Sequence, residues 1–155
     1  MSTNKFIVER TVVGDSNTVV GTAYTDVTGL SWYGKASEVY KFKAIVVYDA
    51  VAAGDGANFS VNGPAATVIS YKATFATAAG TEAASFGNAY NLPATAQTTG
   101  SAFTTDNIAI VEGVLSPSAD GTIIIRGIAE NASTITVQGA SSVLTWSRID
   151  WPTEA

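Results

Sequence analysis

The chain has no cysteine and no histidine. The first absence removes disulfide frameworks, thiolate metal sites and cysteine nucleophiles together. The second removes the commonest general base and the commonest transition-metal ligand. Charge is also scarce: Asp, Glu, Lys and Arg make up only 14% of the residues, against roughly a quarter in an ordinary globular protein. Lysine and arginine together number 8 and are scattered singly. Nucleic-acid binding draws most of its affinity from such residues placed on phosphates, so no nucleic-acid partner is expected. No apolar run reaches the ~18 residues of a membrane helix, and no membrane partner is expected. The first five residues, Met1 to Lys5, lack the apolar core of a secretory signal, so synthesis in the cytoplasm is expected.

What remains is a β-forming composition. Hydrophobic residues make up 46% of the 155, and Gly, Ser, Thr and Asn supply much of the rest. Such a chain is too hydrophobic and too weakly charged for disorder. It is long enough for one domain that buries its own core without a metal or a disulfide. The low charge also suggests that partners cover part of the surface.

The dominant sequence period is two. In residues 38–48, Tyr40, Phe42, Ala44, Val46 and Tyr48 share one face, while Val39, Lys41, Lys43, Ile45 and Val47 share the other. The two lysines mark the second face as wet over its first half, and the aromatic face becomes the core face. Ile45 and Val47 predict that the second half is covered on both sides. Residues 6–13, 18–27, 57–61, 68–75, 108–115, 122–128, 133–137 and 142–149 also read as strands, rich in β-branched and aromatic residues. Gly- and Asn-containing turns punctuate them, including Gly54-Asp55-Gly56 and Asn62-Gly63-Pro64. Short strands at this spacing predict an all-β, jelly-roll-like β-sandwich of about eight to ten strands. Residues 17–155 form the single domain, and residues 1–16 form an N-terminal arm or an extra strand. Residues 76–105 read mainly as a long polar connection, with one short strand at 89–92. An Ala-rich stretch, 77–86, is the best helix candidate, weakened by Gly80 and the lack of an apolar stripe.

Few residues suggest chemistry. Gly54-Asp55-Gly56 with Asp49 upstream reads as a hairpin turn, because a calcium loop needs several alternating carboxylates. Asn58-Phe59-Ser60 and Asn131-Ala132-Ser133 match the glycosylation pattern but read as strand-edge residues. Glu112 and Arg126 each interrupt an apolar strand. A catalytic acid beside a cation is one reading; a cross-strand ion pair, within the sandwich or between subunits, is the favoured one. Trp32-Tyr33, Trp146 and Trp151 belong to a core or an interface, with Trp146 expected buried and Trp32-Tyr33 open to exposure and to sugar stacking. No cofactor, no metal and no catalytic residue is assigned, and no enzymatic activity is expected. A hydrolase built on paired carboxylates is conceivable chemistry, but no close pair is visible.

Several segments taken together resemble a known domain. Thr28-Gly29-Leu30-Ser31 is followed by Tyr40-Lys41-Phe42-Lys43-Ala44, and a short strand ends in Asn62-Gly63-Pro64-Ala65. Then come residues 110–117 around Glu112, Asp120-Gly121-Thr122 with Arg126, Ala129-Glu130, Ile135-Thr136-Val137, and the last strand through Trp146. Their order resembles the β-sandwich domain of tailed-phage virion proteins, found in capsid decoration proteins and fibre tips. Its plan is similar to that of trimeric jelly rolls of the tumour-necrosis-factor and complement-C1q type. The resemblance spans residues 28–149 and implies a structural protein of the virion. The implied role is capsid decoration as a homotrimer on the outside of a major capsid protein lattice. The alternative is a receptor- or glycan-binding fibre tip, with Trp32, Tyr33 and residues 76–105 as its site. Interface expectations fall on Phe6, Ile7, Trp32, Tyr33, Glu112, Arg126 and Trp146. Phe6 and Ile7 are the expected anchors of an arm that docks on a neighbour.

Overall fold

A computed structural model describes residues 9–78, 81–92, 100–130 and 134–149. Eleven strands account for most of them: β1 (Glu9–Val13), β2 (Thr18–Val20), β3 (Thr25–Gly34), β4 (Val39–Ala50), β5 (Ala57–Asn62), β6 (Ala66–Ala78), β7 (Thr81–Gly87), β8 (Asn107–Pro117), β9 (Gly121–Ala129), β10 (Ile135–Val137) and β11 (Val143–Ile149). They form a β-sandwich of two antiparallel sheets. The large sheet runs β1-β11-β4-β8-β6-β7, and the small one runs β3-β9-β5.

Strand β4 organises the large sheet. Along one edge it pairs with β11 over residues 39–45 and then with β10 over residues 48–50. Along its other edge it pairs with β8 from Tyr40 to Tyr48. A single 3-10 turn, Gly139–Ser141, separates β10 from β11. Opposite that break, β1 pairs with β11 and β2 pairs with β10. The Ser142 hydroxyl spans the interruption, receiving the Val47 N–H at 3.0 Å and lying 2.8 Å from the Gln138 carbonyl. Thus Glu9–Val13 is an edge strand of the sandwich, and Val12 packs against the core. Phe6 and Ile7 lie outside the described residues.

The alternation read in β4 is the alternation found. Tyr40, Phe42, Ala44, Val46 and Tyr48 are all buried. They face β3, β5 and β9 of the small sheet, which contribute Leu30, Trp32, Phe59, Val61, Ile123 and Ile125. Tyr48 meets Phe59 with ring centroids 5.3 Å apart. At the other end Trp32 sits among Phe42 (5.5 Å), Trp146 (5.9 Å, near-parallel) and Tyr40 (6.1 Å). Trp146 is partly buried, with one face on Trp32.

Three sequence expectations are corrected. The Ala-rich stretch 77–86 is no helix: β6 runs on to Ala78, and β7 folds back on it as a hairpin. The connection 76–105 is correspondingly shorter, and residues 89–91 form a turn, not a strand. Residues 18–27 divide into β2 and β3. A register shift between Asp26 and Ser31 then bends β3 against β9. Gly29 lies in that bend at φ +84°. A Cβ there would stand 2.4 Å from the Asp15 backbone nitrogen, so glycine is required twice over.

Asn58 is fully buried in β5, which excludes it as a glycan acceptor on the folded chain. Its Oδ1 accepts the Ser85 hydroxyl of β7 at 2.9 Å. The 131–133 match and Trp151 lie outside the described residues. Gly54-Asp55-Gly56 is a turn: Asp55 accepts the Ala52 N–H at 2.8 Å and returns its own N–H to the Ala52 carbonyl.

Burial separates two phenylalanines. Phe59 is fully buried between the sheets, whereas Phe86 is 73% exposed. Phe59→Ala should cost about 3–5 kcal/mol in denaturant melts, and Phe86→Ala should stay within about 0.5 kcal/mol for the isolated, unassembled chain. Equal losses would mean that the inner and outer faces have been exchanged.

Candidate functional site

The site is built on the outward face of the large sheet. Because side chains alternate, the residues between the core-facing members of β4, β8, β6, β7, β11 and β1 all point away from the small sheet. The pairing registers align them in rows. One row runs Val13, Val143, Ile45, Ile110, Thr74, Ala84. It crosses six strands, or about 24 Å at the usual strand spacing, without a charge. The next runs Thr11, Thr145, Lys43, Glu112, Lys72, Phe86.

This face holds Val13, Ile45, Val68, Phe86 and Ile108 among the exposed large hydrophobics, while Tyr33, Val51 and Phe103 lie elsewhere. Ile45 was expected to be covered. It is 37% exposed, and Ile108 is 48% exposed. Within one chain nothing among the described residues covers them. A groove of about 610 Å³ crosses the lower half of the face, lined by Lys41, Lys43, Lys72, Ser70, Phe86 and Glu112.

Charges on the face are sparse and mixed. Glu112 lies between Lys43 on β4 and Lys72 on β6, and it pairs with Lys72 at 3.3 Å. Neither Lys41 nor Lys43 has a carboxylate within ion-pair range among the described residues. Arg126 is not the partner of Glu112. It lies on β9 in the small sheet, where it pairs with Asp26 on β3 and donates to Asn91 Oδ1 at 3.1 Å. Each of the two residues therefore has a cross-strand partner within its own sheet. The sequence named both residues but could not give the partners, because it does not fix which strands are neighbours.

Trp32 and Tyr33 part company for the same reason that orders the face. Successive strand residues point to opposite sides, so Trp32 enters the core and Tyr33 is 59% exposed. Lys35 Nζ lies 5.2 Å from the Tyr33 ring centroid. Lys35 also pairs with Asp120 at 2.8 Å, and Asp120 accepts the Ala36 N–H at 2.8 Å. That N–H and the Lys35 ammonium hold the Asp120 carboxyl below the usual aspartate value. The arrangement ties the β3–β4 turn to the β8–β9 turn. Asp49, Asp106 and Gln138 form another tie: Gln138 Nε2 lies 2.8 Å from Asp49 Oδ1 and 3.0 Å from Asp106 Oδ1. Among the described residues, no group of three or more acidic side chains is placed to hold a metal ion.

Fold and site together define an antiparallel β-sandwich with one uncovered, largely apolar sheet face. No family model matches the chain, and no curated protein matches it. Among solved structures, it is similar to the infectious bursal disease virus VP2 subviral particle. That likeness has 13% sequence identity and a TM-score of 0.26, and it covers 97% of this chain and 43% of the other. The chain thus spans less than half the length of this weak neighbour. Overlap this low leaves function to be read from the chain's own surface.

Two outcomes test the electrostatics. Glu112→Gln should change the stability of the isolated, unassembled chain by no more than about 1 kcal/mol, since its pair is exposed there. A larger loss would place Glu112 in a covered setting. Burial pushes the phenols of Tyr24 and Tyr90 up to about 12. These values lie above the ~10 of an unfolded chain. Their contribution to stability is therefore full below pH ~10 and is lost as pH rises toward ~12. Near-ultraviolet titration should show late phenolate formation, with melting temperatures falling over that window; ordinary titration near 10 would put both rings in solvent.

Proposed function

We propose that the chain is a structural virion protein: a decoration protein that binds the outside of a major capsid protein lattice as a trimer and performs no catalysis. The observation that supports this reading is the outward face of the large sheet. Its exposed Val13, Ile45, Phe86 and Ile108 share one surface, and large contiguous apolar patches on single chains mark protein–protein contacts. The rest of the molecule is latched by its own hydrogen bonds and pairs. Three of its acidic groups are spent on such ties: Glu38 with Arg148, Asp26 with Arg126 and Asp120 with Lys35. A rigid block with one sticky face and no histidine or cysteine suits assembly better than turnover. Many copies would each add a modest contact and restrain a shell together. The resemblance of residues 28–149 to virion sandwich domains points the same way.

A second reading, a glycan-binding fibre tip, draws on Tyr33, whose exposed ring beside Lys35 could stack on a sugar. Labelled antibody against the chain, imaged on purified virions, separates the two. Label spread over the head is the expected result. Label confined to the tail end would replace decoration with the tip, and unlabelled virions would remove both.

A further inference from the structure

The outward face of the large sheet identifies what covers it. We infer that it meets a second copy of this same chain, so that the face is the contact between subunits. The inference rests on the trimeric part of the function proposed above and gives that assembly its surface.

Charge selects the occupant. The whole chain carries a formal charge of −5, so copies repel one another over most of their surface. On this face, over the rows from Lys41 to Val47, the balance is different. Lys41, Lys43 and Lys72 stand against Glu9, Glu82 and Glu112. Asp49, in the next row of the strand, lies beyond this stretch and is tied to Gln138 and to the Asp106 N–H. The face is therefore close to neutral on an acidic molecule, which makes it the surface through which copies approach at least electrostatic cost. A strongly acidic partner would be matched by an excess of lysine, and a basic partner by an excess of glutamate. Interleaved signs match a surface that carries the same interleaving, and a second copy carries it.

Shape agrees with charge. The row Val13, Val143, Ile45, Ile110 is apolar and uninterrupted, and sheets pack face to face through rows of this kind. Ile45 and Val47 read in the sequence as covered on both sides, and β4 is already paired along both edges. What is left for them to gain is a layer on top, and another sheet face supplies it. On the small sheet, the described outer surface carries the Asp26–Arg126 pair across the strands in place of an apolar row.

Light scattering and sedimentation on the purified chain test this directly. The expected mass is about three times 15.9 kDa. Ile45→Asp should reduce it to the single-chain mass while leaving the circular dichroism spectrum β-like. Lys43→Glu, a milder change at an exposed site, should weaken self-association by at least about tenfold, partly recovered by added salt. Tyr33→Asp, on the other sheet, should leave the mass unchanged. A single-chain mass for the unaltered protein at tens of micromolar would overturn the inference, as would an oligomer indifferent to both Ile45→Asp and Lys43→Glu. A dimer abolished by the same changes would keep the contact between copies and overturn the trimer of the proposed function. The virion reading fails separately: an oligomer held by this face, with virion heads unlabelled, removes decoration and keeps the contact. A monomer with labelled heads does the reverse.

Discussion

Strand β4 is hydrogen-bonded along both edges, and its inner face carries Tyr40, Phe42 and Tyr48 into the space between the sheets. Burying those three rings is the condition on which the remaining structure depends. Aromatic side chains bury about 150–250 Å² each, more than any other core residue. The small sheet answers them with Trp32 and Phe59, one toward each end. Because the side-chain period is two, committing Tyr40, Phe42 and Tyr48 inward commits Lys41, Lys43, Ile45 and Val47 outward. The core and the candidate docking face are thus two consequences of one register. A one-residue slip would exchange them and leave both lysines in the interior, at a cost the chain could not bear.

That linkage explains which parts of the sandwich were legible. Residues 38–48 alternate large against polar, and so their inner face could be read directly. β7 could not be read, because its alternation is inverted. Its inward residues are Ala83, Ser85 and Gly87, while Phe86 points outward. Small residues are needed there because the Tyr71 ring occupies the space. A Cβ on Gly87 would lie 2.2 Å from that ring. The Tyr71 hydroxyl is in turn fixed by Ser60 at 2.7 Å and by the Leu92 backbone. A strand whose core side is filled from its neighbour shows no hydrophobic pattern of its own, and propensity alone reads its alanines as helix. The candidate site was legible by residue but not by position. Glu112, Arg126, Trp32 and Tyr33 were singled out as polar or aromatic exceptions. Which sheet each occupies depends on strand order, and no local pattern encodes that.

Polar groups inside the sandwich are concentrated where β5 meets the β6–β7 hairpin. Asn58, Ser60 and Ser85 are all buried, and each is hydrogen-bonded. β5 is an edge strand of the small sheet, yet its residues from Ala57 to Val61 are buried. The hairpin covers what would otherwise be an open edge, and hydroxyls and amides supply partners where apolar side chains would leave backbone groups unmatched. Trp32 is the exception: among the described residues its indole N–H is the buried side-chain group left without an acceptor. That costs about 1–3 kcal/mol, set against the packing of its ring on Phe42 and Trp146.

The opposite treatment of the two sheets' outer surfaces is the strongest pointer to assembly. Along the small sheet, charge is neutralised in place by Asp26 and Arg126, and the exposed Tyr33 stands beside a cation. Along the large sheet, the central row offers neither charge nor hydroxyl until Thr74, and among the described residues Lys41 and Lys43 beside it have no ion-pair partner. A chain with only 14% charged residues has little solubilising capacity to spare. Leaving an apolar sheet face open to water would invite uncontrolled edge and face association. A surface arranged in this way persists in a folded protein when something regular covers it. Sheet faces of fixed twist and fixed register admit only a few relative orientations. Covering by copies of one chain, as inferred above, would therefore be geometrically repetitive.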